Sequence, residues 1–348
     1  MKTYTPDYRR ITDAAYKKKT DRIPLYEHDI NYHVAEQIIG KPLSELREGD
    51  YRDKREYFRY YVQFCRDYGY DVVPYEGCVV ECIQGGEGLC NRVPGIIRTM
   101  EDIERYPWEA LPDRYFARFD PFFQALEAEM LPGMKAVAGI GNGVFEIVQD
   151  FVPLSELALL EIDEPEVFSL LWEKAGDLLI SLWSEFFPRY GDLYSLCRFG
   201  DDLGFKSSTL VSPETIRTHI LPQYRRIVSL IHSKGKPALL HCCGNIFEVM
   251  DDIIDTGIDA KHSNEDTIAP FSVWLEKYGN RIGNFGGVEM NVLCLNTEQE
   301  IKEYVKDVLR TASAYPGVAI GSGNQIAEYI PPEGFIAMVE AVREYRGD

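Results

Sequence analysis

Residues 193–241 read LYSLCRFGDDLGFKSSTLVSPETIRTHILPQYRRIVSLIHSKGKPALLH, and this stretch decides the fold. A short apolar run at 193–200 is followed by an amphipathic run at 212–235 and by a second apolar run at 236–241. The middle run opens on Ser-Pro and closes on glycine, which is typical of a helix. Short strands that alternate with amphipathic helices predict a parallel sheet covered by helices.

The same alternation continues in both directions and gives eight strands. The predicted strands are 22–28, 71–77, 135–141, 193–200, 236–241, 258–263, 281–287 and 318–323. Further helices are predicted at 245–257 and 297–317. Eight strands favour a closed (β/α)8 TIM barrel over an open sheet. We expect a single domain over residues 1–348, with an insertion at 78–133 after the second strand.

The composition restricts the class of function. Lys and Arg number 37 against 56 Asp and Glu, a net charge of −19, and no basic stripe indicates a nucleic-acid partner. The first ten residues lack the apolar core of a signal peptide, and no apolar run is long enough to span a membrane. The eight cysteines lack the spacing of a disulfide framework. We therefore expect a cytoplasmic enzyme with reduced thiols.

Polar residues are concentrated where the predicted strands end. In a barrel of this kind the active site lies at the C-terminal ends of the strands. The candidates selected by that rule are Glu27, His28, Asp29, Tyr75, Glu76, Asn142, Asp201, Asp202, His241, Cys242, Cys243, His262, Glu289 and Asn324.

The sharpest local signal is His241-x-Cys243. Imidazole and thiolate are preferred zinc ligands, and residues i and i+2 leaving a strand can reach one ion. A catalytic zinc needs a third protein ligand, for which position alone leaves several candidates open. These are Cys78, Cys82, Glu76, Glu81 and Asn324. The alternative is a hydrogen-bonded barrel histidine with two apolar cysteines. After the pair, Gly244 frees the backbone for a helix near Asn245, whose N-terminus could hold an anion or a carbonyl.

Asp201 and Asp202 follow the fourth predicted strand. At least one of their carboxylates should face the barrel mouth and orient substrate or transfer a proton. The alternative is that Asp202 caps the local turn and Asp201 is solvated. The same role at the barrel mouth is open, on weaker grounds, to the carboxylates of Glu76, Glu146 and Glu27. The run GIGNG at 139–143 does not match a dinucleotide fingerprint.

Several motifs resemble the uroporphyrinogen decarboxylase superfamily, over most of the chain. They are Asp21-Arg-Ile-Pro24, Phe199-Gly-Asp-Asp-Leu-Gly204, Val211-Ser-Pro-Glu214, Ile220-Leu-Pro222, His241-Cys-Cys-Gly-Asn245, Gly257-Ile-Asp259 and Gly321-Ser-Gly323. The resemblance implies a (β/α)8 barrel. It also implies one of two activities, a haem-pathway decarboxylase or a cobalamin-linked methyltransferase.

Two differences between this sequence and the family's motifs distinguish these branches. The decarboxylases carry an arginine-rich motif after the first strand, but residues 26–33 read YEHDINYH and contain no arginine. Their aspartate after the second strand has its nearest equivalent in Glu76. The methyltransferase branch binds zinc through a His-x-Cys pair, matched by His241 and Cys243, and through a cysteine after the last strand. At that third position this chain has Asn324.

The resemblance therefore implies a zinc-dependent methyltransferase that acts with a separate corrinoid protein, because this chain shows no cobalamin-binding module. His241 and Cys243 would bind zinc, and Asp201 and Glu76 would be catalytic. The expected substrate-binding residues are Glu146, Asp202, Asn324, Tyr75 and Gly244. Its small-molecule methyl donor or acceptor carries the methyl group on oxygen or sulfur, and an aryl methyl ether suits the loss of one cysteine. The alternatives are a metal-free decarboxylase of a less anionic substrate and a non-catalytic barrel that binds a tetrapyrrole or a corrinoid partner.

Overall fold

Seven parallel strands form one curled sheet in the structure, a computed structural model that describes residues 4–90 and 94–348. The strands are β1 (Val72–Cys78), β2 (Lys135–Gly141), β3 (Tyr194–Gly200), β4 (Ala238–His241), β5 (Ala260–His262), β6 (Gly283–Val288) and β7 (Val318–Ser322). They lie side by side in chain order, as in a (β/α)8 barrel. The predicted fold class is thus confirmed.

Helices precede the sheet and cover its outside. They are α1 (Arg9–Ala15), α2 (Tyr32–Ile39), α3 (Leu43–Glu48), α4 (Tyr51–Asp67), α5 (Met100–Arg105), α6 (Leu111–Glu129), α7 (Val144–Phe151), α8 (Leu154–Asp163), α9 (Pro165–Tyr190), α10 (Pro213–Thr215), α11 (Leu221–Ser233), α12 (Met250–Ile254), α13 (Phe271–Tyr278), α14 (Met290–Leu295), α15 (Glu298–Ala312) and α16 (Pro332–Arg346). Within the described ranges, no helix is long and apolar enough to cross a bilayer.

The predicted first strand at 22–28 is reduced to a short bridge. The N–H of Tyr26 donates to Ile320 O at 2.9 Å, and the N–H of Ile320 donates to Pro24 O at 2.9 Å. Pro24 has no N–H, so it cannot extend the ladder in the manner of the other strands. The segment nevertheless lies beside β7, so it takes the place of the strand that the seven-stranded sheet lacks for an eight-stranded barrel.

Two predicted helices differ from the observed ones. The helix predicted at 212–235 contains a π-helical turn at Ile216–Ile220, directly before the proline near the start of α11. Proline lacks the N–H of a regular turn and clashes with the preceding turn, which accounts for the irregularity. The helix predicted at 245–257 is only α12, five residues long.

The predicted insertion at 78–133 contains α6, which packs between α4 and α9.

The barrel interior changes from apolar to polar along the strands. Its lower layer is apolar and is covered by α1; it consists of Ile11, Ala14, Ala15, Tyr26, Val72, Val137, Leu196, Leu239, Ala260, Phe285 and Ala319. Strand side chains alternate, so the residue two positions further points inward again. Two positions beyond Leu196, Leu239 and Ala260 stand Arg198, His241 and His262, all buried. The strand register therefore builds a polar layer near the C-terminal ends.

Gly244 and Gly204 bring together the loops that follow β3 and β4. Gly244 has φ +85°, and a Cβ there would lie 2.1 Å from Gly204 C. Only glycine tolerates both the left-handed backbone and this approach. The pairing of these loops places the residues after β3 beside the residues after β4.

We expect Gly244→Ala to lower the free energy of unfolding by at least about 2 kcal/mol more than Gly235→Ala. Gly235 is a matched control because it has φ +68° and nothing within 4 Å of an added Cβ, so it isolates the backbone cost. Urea unfolding followed by circular dichroism measures both variants. Equal losses would show that the Gly244–Gly204 approach does not constrain the loops.

Candidate metal and substrate site

Three side chains of the types that bind metals converge where β3 and β4 end. Asp202, His241 and Cys243 each offer a ligand atom, and these atoms lie within 4.8 Å of one another. His241 Nε2 is 3.4 Å from Cys243 Sγ and 3.8 Å from Asp202 Oδ1. Ligands of a tetrahedral zinc stand about 3.4–3.6 Å apart, given ordinary Zn–N, Zn–O and Zn–S lengths. The set fits zinc in donor chemistry; the spacing of His241 and Cys243 lies in this range, and Asp202 Oδ1 lies slightly beyond it.

Cys243, rather than Cys242, faces this cluster. Cys242 is fully buried, and its Sγ accepts the N–H of Leu203 at 3.4 Å. Cys243 Sγ instead accepts hydrogen bonds from Ser263 Oγ at 3.3 Å and from Asn324 Nδ2 at 3.4 Å. Hydrogen bonds donated to sulfur favour its thiolate form, which is the form that binds metals.

Asn324 and Asp202, both predicted to bind substrate, each contact Cys243. Asn324 presents its amide N–H to Cys243 Sγ. Asp202, expected to bind substrate, has its Oδ1 beside the histidine and accepts the N–H of Cys243 at 2.8 Å. The other third-ligand candidates, Glu76, Cys78, Glu81 and Cys82, share no such group with His241 among the described residues.

A second group of histidines lies deeper in the barrel. His28, His241 and His262 also have nitrogens within 4.8 Å of one another. However, His241 Nδ1 and His262 Nδ1 are 2.8 Å apart, a hydrogen-bond distance, whereas two nitrogens on one tetrahedral zinc stand about 3.3 Å apart. The pair is therefore a hydrogen bond. The sequence placed His262 at a strand end but did not reveal this contact.

Asp201 turns inward, whereas the expectation was that at least one carboxylate of the pair Asp201 and Asp202 faces the barrel mouth. It is fully buried and accepts the N–H of Phe145 at 3.0 Å, the N–H of Glu146 at 2.8 Å and Tyr224 OH at 2.7 Å. It thus holds the N-terminus of α7. Burial raises the pKa of Asp201 to about 7. Its observed contacts are those of a positioning residue rather than of a group that touches substrate.

Glu146 is brought into the site by α7. Asn142, with φ +66°, donates its amide to Glu146 Oε2 at 2.8 Å. Burial, with the neighbouring Asp202 and Asp201 carboxylates, raises the pKa of Glu146 well above its usual range. The predicted substrate-binding residue is thus beside the candidate ligands.

A cavity of about 220 Å³ lies beside His28, and among the described residues its lining does not include Asp202, His241 or Cys243. Its lining includes His28, Asp29, Tyr32, Arg47, Tyr57, Tyr61, Tyr75, Glu76, Cys78, Glu81 and Arg198. Glu76 accepts Arg198 Nη2 at 2.5 Å, and the His28 ring lies 3.8 Å from the His241 ring. Arg198 Nε and His28 Nδ1 are buried and have no hydrogen-bond partner in the described part of the chain. Tyr75 and Glu76, both predicted site residues, thus line this cavity.

The turn at Gly244 does not begin a helix, so the expected helix N-terminus for an anion is absent from this position. The N–H of Asn245 donates to Phe205 O at 2.6 Å, and α12 starts only at Met250. Gly244 instead allows the close approach to Gly204, and the turn does not present the N–H groups of a helix N-terminus.

Comparison with known proteins gives the family. The Uroporphyrinogen decarboxylase (URO-D) family matches residues 8–345. The chain belongs to this family. The resemblance found in the sequence motifs is therefore confirmed.

Individual relatives agree with the family and the fold. A methylated-thiol–coenzyme M methyltransferase from Methanosarcina mazei is 28% identical over 220 residues, which are 61% of this chain and 54% of that protein, about half its length. A solved methyltransferase structure from Methanosarcina mazei has a TM-score of 0.75 at 18% identity over 97% of this chain and 98% of that one. A B12-independent methionine synthase from Shewanella sp. W3-18-1 has a TM-score of 0.51 at 11% identity, covering 95% and 98%. These two structures share the fold.

Glu27 generates a prediction about pH. Its buried carboxyl accepts the N–H of Ser322 at 3.0 Å, and burial raises its pKa to about 8. Between the ordinary glutamate pKa and pH 8, the unfolded chain loses this proton while the folded chain keeps it. Folding stability is therefore lost as pH rises through this window, by up to about 1.4 kcal/mol per unit.

Glutamine is a neutral stand-in for the protonated acid. We therefore expect Glu27→Gln to remove this loss of folding stability with rising pH. From pH 5 to pH 8 the wild type should lose at least about 2 kcal/mol relative to the variant, measured by urea unfolding. The exposed Glu104→Gln serves as control and should run parallel to the wild type. A wild-type profile parallel to that of Glu27→Gln would contradict the raised pKa.

Proposed function

We propose that this protein is a zinc-dependent methyltransferase that moves a methyl group between a small O- or S-methyl substrate and a separate corrinoid protein. The convergence of Asp202, His241 and Cys243 at the C-terminal end of the barrel carries the proposal. Membership of the family and the similarity to a methylated-thiol–coenzyme M methyltransferase support it.

His241, Cys243 and Asp202 would hold the zinc. When bound, zinc would supply Lewis acidity toward the substrate's oxygen or sulfur. A carboxylate in place of a second thiolate leaves the ion less electron-rich, which favours polarisation of an ether oxygen over binding of a thiolate. Ser263 and Asn324 direct hydrogen bonds at the Cys243 sulfur, and the one from Ser263 offsets part of the burial that raises the pKa of this thiol. We therefore favour an O-methyl substrate.

The cavity beside His28 suits a small substrate. An apolar cavity of about 150 Å³ holds benzene, so the 220 Å³ here accommodates one ring with small substituents. Tyrosines on its walls offer flat apolar faces for such a ring. A tetrapyrrole is several times too large. The cavity lining carries both carboxylates and the guanidinium groups of Arg47 and Arg198, so size rather than charge disfavours the decarboxylase alternative.

Metal analysis tests the proposed ligands. We expect purified wild-type protein to bind about one equivalent of zinc, and His241→Ala, Cys243→Ala and Asp202→Asn to lower zinc affinity at least roughly tenfold. Cys242→Ala is the matched control, because its sulfur is buried away from the cluster, and it should keep its zinc. A wild type that holds less than about a tenth of an equivalent, with no gain on added zinc, would remove the mechanism.

Turnover assays test the reaction. Wild-type protein with zinc, cob(I)alamin and methoxybenzenes should form methylcobalamin, followed by the change in corrinoid absorbance. Bulkier two-ring ethers should react at least tenfold more slowly, since the cavity holds one ring. Methyl thioethers are the comparison substrates, and faster reaction of these would favour the S-methyl class. Turnover of uroporphyrinogen without cobalamin would instead establish the decarboxylase alternative.

A further inference from the structure

A chain of hydrogen bonds leads from the backbone of β7 to the candidate zinc ligand on β4. His262 Nε2 lies 3.0 Å from the backbone oxygen of Ser322. On the other side of the same ring, His262 Nδ1 lies 2.8 Å from His241 Nδ1. His241 Nε2 then faces Cys243 Sγ at 3.4 Å and Asp202 Oδ1 at 3.8 Å. All three residues of the chain are buried.

The directions of these hydrogen bonds follow from one fixed point. A carbonyl oxygen only accepts, so His262 Nε2 must carry a proton and donate to Ser322. In the neutral ring this leaves His262 Nδ1 bare and able only to accept. His241 Nδ1 must therefore carry the proton shared between the two rings. The remaining nitrogen of His241, Nε2, is then a bare lone pair, directed at the cluster.

The fixed point is itself held in place. The buried Glu27 accepts the backbone N–H of Ser322 at 3.0 Å and also accepts the Ser322 hydroxyl. Both contacts tie the end of β7 to the segment that follows the bridge at Leu25. The Ser322 carbonyl is thus fixed relative to the barrel wall, and His262 has no competing water-exposed partner, since its side chain is fully buried.

We infer that His262 is a positioning residue that sets the tautomer and the ring orientation of His241, so that Nε2 rather than Nδ1 is presented to the metal. The inference rests on the proposed zinc site. A hydrogen bond from the far nitrogen of a ligating histidine fixes its tautomer and raises its basicity, and its loss typically lowers metal affinity 10–100-fold. His28, in contrast, packs against His241 with ring centroids 3.8 Å apart and a tilt of 32°, and makes no hydrogen bond to it in the described structure.

The test compares three variants for zinc retention against a graded chelator. His262→Leu removes the acceptor for His241 Nδ1 and should lower zinc affinity 10–100-fold. His262→Asn keeps an acceptor near the place of the imidazole Nδ1 and should stay within about fivefold of the wild type. His28→Phe keeps the stacked ring and should bind zinc like the wild type. Thermal unfolding of each variant confirms that it is folded.

The outcomes separate this inference from the proposed function. If the wild type binds zinc and His262→Leu retains it equally well, the positioning role of His262 is wrong while the zinc site stands. If His28→Phe loses zinc as strongly as His262→Leu, the three histidines bind the ion and the inference is also wrong. A wild type that binds no zinc would overturn both proposals.

A second measurement needs no variant. The chain has six histidines, so the imidazole nitrogens of the histidine-labelled zinc protein can be followed by 15N NMR. We expect one histidine with its metal on Nε2 and its proton on Nδ1, and a second with its proton on Nε2. A zinc-bound histidine with its proton on Nε2 would contradict the inference even if His262→Leu fails to fold.

Discussion

His241 lies inside the barrel, out of reach of bulk water, and each of its ring nitrogens must therefore find a partner within the protein. This constraint organises the polar layer above the apolar one. An unpaired polar atom in such a place costs roughly 1–3 kcal/mol, so neighbouring strands supply matching donors and acceptors. Arg198 pairs with Glu76, and His262 pairs with His241 and Ser322. These contacts connect most of the layer, while Arg198 Nε and His28 Nδ1 stay without a partner among the described residues.

The same constraint explains which parts of the site could be predicted from the sequence. The strand ends follow from apolar runs, and inward-facing positions follow from the alternation of strand side chains, so His241, Cys243 and Glu76 could be selected before any coordinates. The fold could be predicted for the same reason, since the pattern of strand and helix repeats along the chain. The exception is the segment at 22–28, where Pro24 interrupts the ladder.

Loop geometry could not be predicted in the same way. Asp201 and Asp202 are adjacent, and nothing in their order shows that Asp201 turns inward to hold α7 while Asp202 turns toward His241. That difference depends on the approach of Gly204 to Gly244, a contact between two loops far apart in sequence. The helix predicted at 245–257 was too long for a related reason. The Asn245 N–H is engaged by Phe205 O, so the chain stays non-helical until Met250.

The acidic groups near His241 give the last reason to expect a cation. Burial and the neighbouring carboxylates raise the pKa of Glu146 well above its usual range, and burial with Asp202 does the same for the Cys243 thiol. Groups that repel one another in a buried place are stabilised by a divalent cation more than by protons, because one ion satisfies several of them at once. A thiolate from Cys243 and a carboxylate from Asp202 would balance the two charges of zinc. The neutral Asn324, at the position where the resemblance implies a second cysteine, therefore leaves the charge balance intact, provided that Asp202 supplies the second negative ligand.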